Sequence, residues 1–139
     1  MKLEYPYTLE AQKGGGFLVQ FVDLEEAFTE GATEEEAAFN AAEVLSLVLE
    51  QRMEDGQPIP EPSARKGRPL ACPQASVQAA LLVRGAREAQ GKSLADLARA
   101  LHTSWPAAQR LEQAGSNPTL KQLERAAAAL GKRLIVTMA

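Results

Sequence analysis

Apolar and polar positions alternate along residues 3–10 and again along residues 17–22, where Phe17, Val19 and Phe21 fall on one face. A period of two marks a half-buried strand, and Gly14-Gly15-Gly16 between the two runs predicts a turn. Asp23-Leu24-Glu25-Glu26 then turns the chain into a short third strand over residues 27–30, which Gly31 breaks. The period lengthens after that. Ala37, Ala38, Ala41, Val44, Leu45, Val48 and Leu49 recur at helical spacing until Asp55-Gly56. Ahead of them Thr33-Glu34-Glu35-Glu36 reads as a capping box, the Thr33 hydroxyl accepting from the Glu36 N–H and the Glu36 side chain reaching back. The three glutamates also suit the positive end of the helix dipole. The prediction for this half is a small antiparallel sheet with a helix covering its apolar face.

Pro58, Pro60, Pro62, Pro69 and Pro73 interrupt the pattern. Proline neither continues a helix nor donates to a central strand, so residues 63–75 are expected to form a stiff linker between a domain at 1–62 and another at 76–139. The second domain reads as helical. One helix runs over residues 76–90 to Gly91, and a second follows the Ser93 cap with Leu94, Leu97, Ala98 and Leu101 on its apolar face. A short third follows Thr103-Ser104, and a fourth runs from Asn117-Pro118-Thr119 to Leu130-Gly131. Leu134-Ile135-Val136-Thr137 is largely β-branched and reads as a last strand. No other strand lies in this half to pair with it. Its unpaired backbone groups call for the same strand of a second chain across a two-fold axis, or for the edge of the first domain's sheet. The expected class is α+β: a small sheet with a helix, then an all-helical domain with a dimerising strand at its end.

Charge sharpens the division. The net charge of −3 over 139 residues hides opposite halves. In residues 1–62, Lys2, Lys13 and Arg52 stand against 14 acidic residues, a net of −11. In residues 63–139, 12 basic residues stand against Glu88, Asp96, Glu112 and Glu124, a net of +8. The pattern suggests a basic partner for the first half and nucleic acid for the second. No apolar run approaches the roughly 20 residues of a membrane helix, and the N-terminus lacks the apolar core of a signal peptide. A cytoplasmic protein with no membrane partner is expected. The single cysteine, Cys72, offers neither an internal disulfide nor a cysteine-based metal site, and no cofactor is expected.

In the second half, Ser93-Leu94-Ala95-Asp96-Leu97-Ala98-Arg99-Ala100-Leu101, then Thr103-Ser104, Leu111-Glu112, Asn117-Pro118, Leu120, Leu123 and Ala127 to Gly131, resembles the Cro/CI-type helix-turn-helix of bacterial and phage repressors. The resemblance implies that the helix after Ser104 enters a major groove of operator DNA. His102 stands where the family usually has a turn glycine, and Trp105-Pro106 where it often has polar base-reading side chains. Trp105 and Pro106 then suit thymine methyls and groove shape, or Trp105 packs inward as the only aromatic of its domain. Arg110 is the candidate for a guanine or phosphate contact, with Ser104, Gln109 and Lys121 beside it. Arg84 and the 65–68 segment offer further phosphate charges. The resemblance also implies an ion pair between Arg87 and Glu112.

In the first half, Tyr5-Pro6, Gly15 to Val19, Phe21 to Leu24, Thr29 to Ala37, Asn40-Ala41, Ala42-Glu43 and Asp55 to Ser63 look like HicB-type antitoxins. The resemblance implies a partial RNase H-like fold that binds and occludes HicA, a small basic toxin that degrades mRNA, and it implies repression of its own operon as a dimer or higher homo-oligomer. Phe28 departs from the small residue or cysteine usual at its position, which should alter packing more than class. Glu25, Glu26, Glu30, Glu34 and Glu35 are the candidate toxin-binding acids, because a protein that holds RNA phosphates is basic and an acidic surface competes for it. No catalytic residue is assigned. Asp23, Glu25 and Glu26 share a turn with no mid-strand carboxylate facing them, as a two-metal nuclease would need, and His102 has no nucleophile motif nearby. The alternative is a helix-turn-helix repressor whose first domain senses a small ligand or another protein.

Overall fold

The computed structural model describes residues 3–139. They divide into two compact units between Ala75 and Ser76. In the first, β1 (Tyr5–Ala11), β2 (Phe17–Phe21), β3 (Phe28–Gly31) and β4 (Leu70–Ala71) form one antiparallel sheet in the order β3-β2-β1-β4. Helix α1 (Glu34–Glu54) packs on it, mainly against β3. Register follows the alternation: Tyr7 lies opposite Phe21 and Leu9 opposite Val19. Tyr5, Tyr7, Val19 and Phe21 are buried with Ala37, Ala41, Leu45 and Leu49 of α1. Those four helical positions recur every four residues, which lays them along one face. The Tyr7 and Phe21 rings meet at 5.4 Å in a tilted arrangement. Ala38, expected on the apolar face, is exposed.

β4 shows that part of the segment expected as a stiff linker belongs to the sheet. It lies inside residues 63–75 and pairs with β1 through Tyr5–Ala71 and Pro6–Leu70, and the Tyr7 N–H donates to the Pro69 carbonyl at 3.0 Å. Proline biases its neighbours toward extended backbone and loses nothing as an acceptor, so a proline-rich segment can lie along a sheet edge. Side chains fasten the stretch before it. The Tyr5 hydroxyl donates to the Pro60 carbonyl at 2.8 Å, Arg52 to the Pro58 carbonyl at 3.2 Å, and the Ser63 N–H to Asp23 at 2.9 Å. Burial, with Glu61 and Asp23 nearby, pushes the Tyr5 hydroxyl up to about 12, so it remains a donor.

The second unit holds α2 (Ala75–Ala89, starting at the boundary), α3 (Leu94–Ala100), α4 (Trp105–Arg110), a 3-10 turn (Ala114–Ser116) and α5 (Leu120–Ala129). Val83, Leu97, Ala98, Leu101, Ala108, Leu111, Leu123, Ala126 and Leu130 make its core. Ser93 and Thr119 head full capping boxes, whereas Thr33 supplies its own half by accepting from the Glu36 N–H at 3.1 Å. Helices α1, α2 and α5 end in Schellman motifs with Gly56, Gly91 and Gly131 in the left-handed conformation, and α3 ends the same way on His102 at φ 53°. Residues 132–139 have no regular secondary structure, so the expected terminal strand is not formed in the single chain. Leu134 packs on the core, while Ile135, Val136 and Met138 are exposed. A strand needs a neighbour for its backbone bonds. Among the described residues no helix is long and apolar enough to cross a membrane.

Candidate functional site

The second unit presents α4 at its surface. The α3–α4 turn closes with the Thr103 N–H donating to the Ala98 carbonyl at 2.9 Å. Ser104 caps α4 by accepting from the Ala107 N–H at 3.2 Å, and Pro106 sits in the first helical turn, where its missing N–H has no intrahelical partner. Ala108 and Leu111 anchor the helix in the core. That leaves Trp105, Pro106 and Arg110 exposed and Gln109 half-buried. Trp105 is 47% exposed, so the inward-packing alternative does not hold: the core it would join is filled by small and branched aliphatic side chains. Lys121, in the first turn of α5, is also exposed.

Behind α4, Arg87 of α2 donates through Nε and Nη2 to both oxygens of Glu112 at 2.6 and 2.9 Å, and through Nη1 to the Lys92 carbonyl at 2.8 Å. The side chains are 13% and 7% exposed. A bidentate pair fixes angle as well as distance. It therefore sets the end of α4 relative to α2 and to the turn leading into α3.

In the first unit the candidate acids do not form one cluster of equivalent groups. Glu25 and Glu26 occupy the β2–β3 turn, Glu30 lies on β3, and Glu34 and Glu35 on the first turn of α1; all five are exposed. Glu26 is already engaged: Arg52 donates to both of its oxygens at 2.7 and 2.8 Å, which holds its carboxyl below the usual carboxylate range. Glu30 has its backbone carbonyl capped by Asn40 at 2.8 Å. The sequence reading missed the large apolar side chains left outside the core. Phe28, Phe39 and Leu47 are all more than half exposed. The signal was available for Phe39 and Leu47, which fall outside the α1 stripe of Ala37, Ala41, Leu45 and Leu49. Among the described residues no group of three histidine, cysteine, aspartate or glutamate side chains could hold a metal ion.

A family model described as the HicB-like antitoxin of bacterial toxin-antitoxin systems matches residues 4–71, which takes in β4, and a helix-turn-helix model matches residues 83–135. Antitoxin HicB 2 of Photorhabdus laumondii is 33% identical over 132 residues, covering 95% of this chain and 94% of the relative. The chain belongs to the HicB antitoxin family. Antitoxin HicB 1 of Photorhabdus laumondii is 43% identical over 60 residues, 43% of this chain and 39% of that protein. Antitoxin HicB of Escherichia coli is 41% identical over 61 residues, 44% of each chain. The chain thus matches less than half the length of these two and nearly all of HicB 2. This HicB-family chain joins an antitoxin domain to a helix-turn-helix DNA-binding domain.

Proposed function

We propose that this antitoxin neutralises a HicA-like mRNA-cleaving toxin, a small basic RNase, by holding it on the first unit, and that it represses its own operon through the second unit as a homodimer. It acts by binding rather than by catalysis, in the cytoplasm, where its toxin's mRNA and its operator both lie. The observation that carries this reading is the division of charge at the unit boundary. Residues 1–75 hold six basic against 14 acidic residues, a net of −8, and residues 76–139 hold nine against four, a net of +5. An acidic antitoxin domain competes with RNA for a basic surface, and a basic helix-turn-helix neutralises phosphates. Glu25, Glu30, Glu34 and Glu35 are free to face the toxin, whereas Glu26 contributes less because Arg52 already neutralises it. The direct test is RNA cleavage by the toxin of the same operon with increasing amounts of the full chain. Cleavage should stop near a one-to-one ratio, and cleavage that continues at excess chain refutes the reading.

On DNA, Trp105 and Pro106 suit thymine methyls and groove shape, the exposed Arg110 is the proposed contact to a guanine or a phosphate, and Ser104, Gln109 and Lys121 are proposed to add polar and phosphate contacts. Arg110→Ala should weaken binding to the operator by about 1–3 kcal/mol and leave binding to random DNA nearly unchanged. Titrations on both duplexes at one salt concentration check this, and an equal loss on both reassigns Arg110 to the backbone.

The exposed Ile135 and Val136 are proposed to pair with the same segment of a second chain. Since Leu134 belongs to the core of its own unit, Ile135→Asp with Val136→Asp is the cleaner variant. Sedimentation at micromolar concentration should show a monomer with weakened operator binding and intact toxin inhibition. A variant that still sediments as a dimer removes this segment from the interface.

A further inference from the structure

α1 buries Ala37, Ala41, Leu45 and Leu49 toward the sheet. At 3.6 residues per turn, Phe39, Glu50, Glu43, Glu36, Glu54 and Leu47 all fall within an arc of about 80° on the opposite side. This arc is unlike an ordinary solvent face. Phe39 is 65% and Leu47 66% exposed, two turns apart in line with Glu43. No basic residue lies in the arc; Arg52, the helix's one cation, turns aside to Glu26. Phe39 and Leu47 mark the two edges of the arc and the four carboxylates lie between and beyond them. The face thus combines two large apolar anchors with negative charge unpaired among the described residues, the make-up of a contact surface.

The charge decides the occupant. A nucleic acid is excluded by its sign. A second copy of this chain would bring the carboxylates of two such faces against one another, which strongly disfavours the pairing. A basic protein with apolar recesses fits both features. We infer that the outer face of α1 is the docking surface for the toxin, with Phe39 and Leu47 as its anchors and Glu36, Glu43, Glu50 and Glu54 as its steering charges. The inference rests on the antitoxin reading above, and adds to it a surface separate from the turn and strand acids Glu25 and Glu30. The other exposed aromatic of the first unit, Phe28, stands on β3 opposite Gln20 and two residues from Glu30, on a different element from α1, so it serves as the comparison.

The experiment titrates the basic toxin of the same operon with the full-length chain and three variants, reading inhibition of RNA cleavage and association rate. Phe39→Asp with Leu47→Asp should raise the inhibition constant at least about 30-fold, with thermal unfolding and operator binding unchanged, because both side chains already face water. Glu43→Lys with Glu50→Lys should slow association about ten-fold and flatten its dependence on salt. Phe28→Asp should weaken inhibition far less than the Phe39/Leu47 variant, and an equal loss from Phe28→Asp moves the anchor from α1 to the sheet and overturns the inference. A wild-type chain that fails to bind the toxin removes the antitoxin reading, and this inference with it. A wild-type chain that binds while the Phe39/Leu47 variant binds equally well overturns the inference alone. So does a variant that loses a subunit in sedimentation yet keeps its toxin affinity, since the face would then belong to a second copy.

Discussion

Gly31→Ala should destabilise the first unit by about 3 kcal/mol or more, at the upper end of what overpacking costs, and lower its melting temperature by roughly 15 °C. The cause is space. A Cβ at Gly31 would lie 2.4 Å from the Ala37 nitrogen, 2.7 Å from the Ala37 Cα and 2.9 Å from the Glu36 carbonyl carbon. All three are backbone atoms of the first turns of α1 and cannot rotate away as a side chain would. Gly31 has no positive φ, so conformational freedom is not what the position needs. It needs the closest approach of β3 to α1, and β3 is the strand on which that helix chiefly packs. Thermal unfolding of the full chain checks this, with Gly14→Ala as the control. Gly14 has nothing within 4 Å of its Cβ position, so its substitution should be close to neutral. Toxin inhibition should fail for the Gly31 variant as its first unit unfolds, while operator binding by the second unit persists.

Glu112→Ala should cost the second unit about 3 kcal/mol, because it leaves the Arg87 guanidinium in a largely buried position without its carboxylate. The Lys92 carbonyl stays as one acceptor and Glu88 is 4.0 Å away, too little to replace two short charge-assisted bonds. Denaturant unfolding should show the loss, and operator binding should fall with it, because the pair sets the end of α4 against α2. Replacing both partners, as Arg87→Met with Glu112→Leu, should recover much of the stability, since no charge is then buried alone. A single variant as stable as the wild type would show that the pair aligns the helices without holding them.

The two units differ in how much of each could be read along the chain. In the second unit the helices are announced by signals a few residues apart: Ser93 with Asp96, Thr119 with Gln122, glycine after α2 and after α5. Such bonds form within one helical turn, so their residues are neighbours in sequence and legible there. His102 was legible as a departure from glycine, and its left-handed φ follows from the same Schellman geometry. The recognition-helix positions came from resemblance, and only packing decided that Trp105 points outward, since an aromatic suits a core or a groove equally well until the core is seen to be full.

In the first unit, alternation determined β1, β2 and the register between them, because a slip of one residue would turn Tyr7 and Phe21 out of the core. The capture of the proline-rich segment was not legible. The Tyr5 hydroxyl and the Pro60 carbonyl are 55 residues apart, and Asp23 and Ser63 are 40 apart. Nothing in local composition distinguishes prolines that span open solvent from prolines laid along a sheet edge. Separation in sequence, here 26 residues, also hid the neutralisation of Glu26 by Arg52, whereas the close approach at Gly31 involves Glu36 and Ala37 only a few residues on and depends on how the chain folds from β3 back into α1. Sequence by itself determined β1 to β3, the five helices, the Ser93 and Thr119 capping boxes and the opposite charges of the two units, all of which depend on residue type and near neighbours. Tertiary structure alone decided which acids remain free, which aromatics face water and where the first unit ends, because each of those is a contact between segments the chain brings together only on folding.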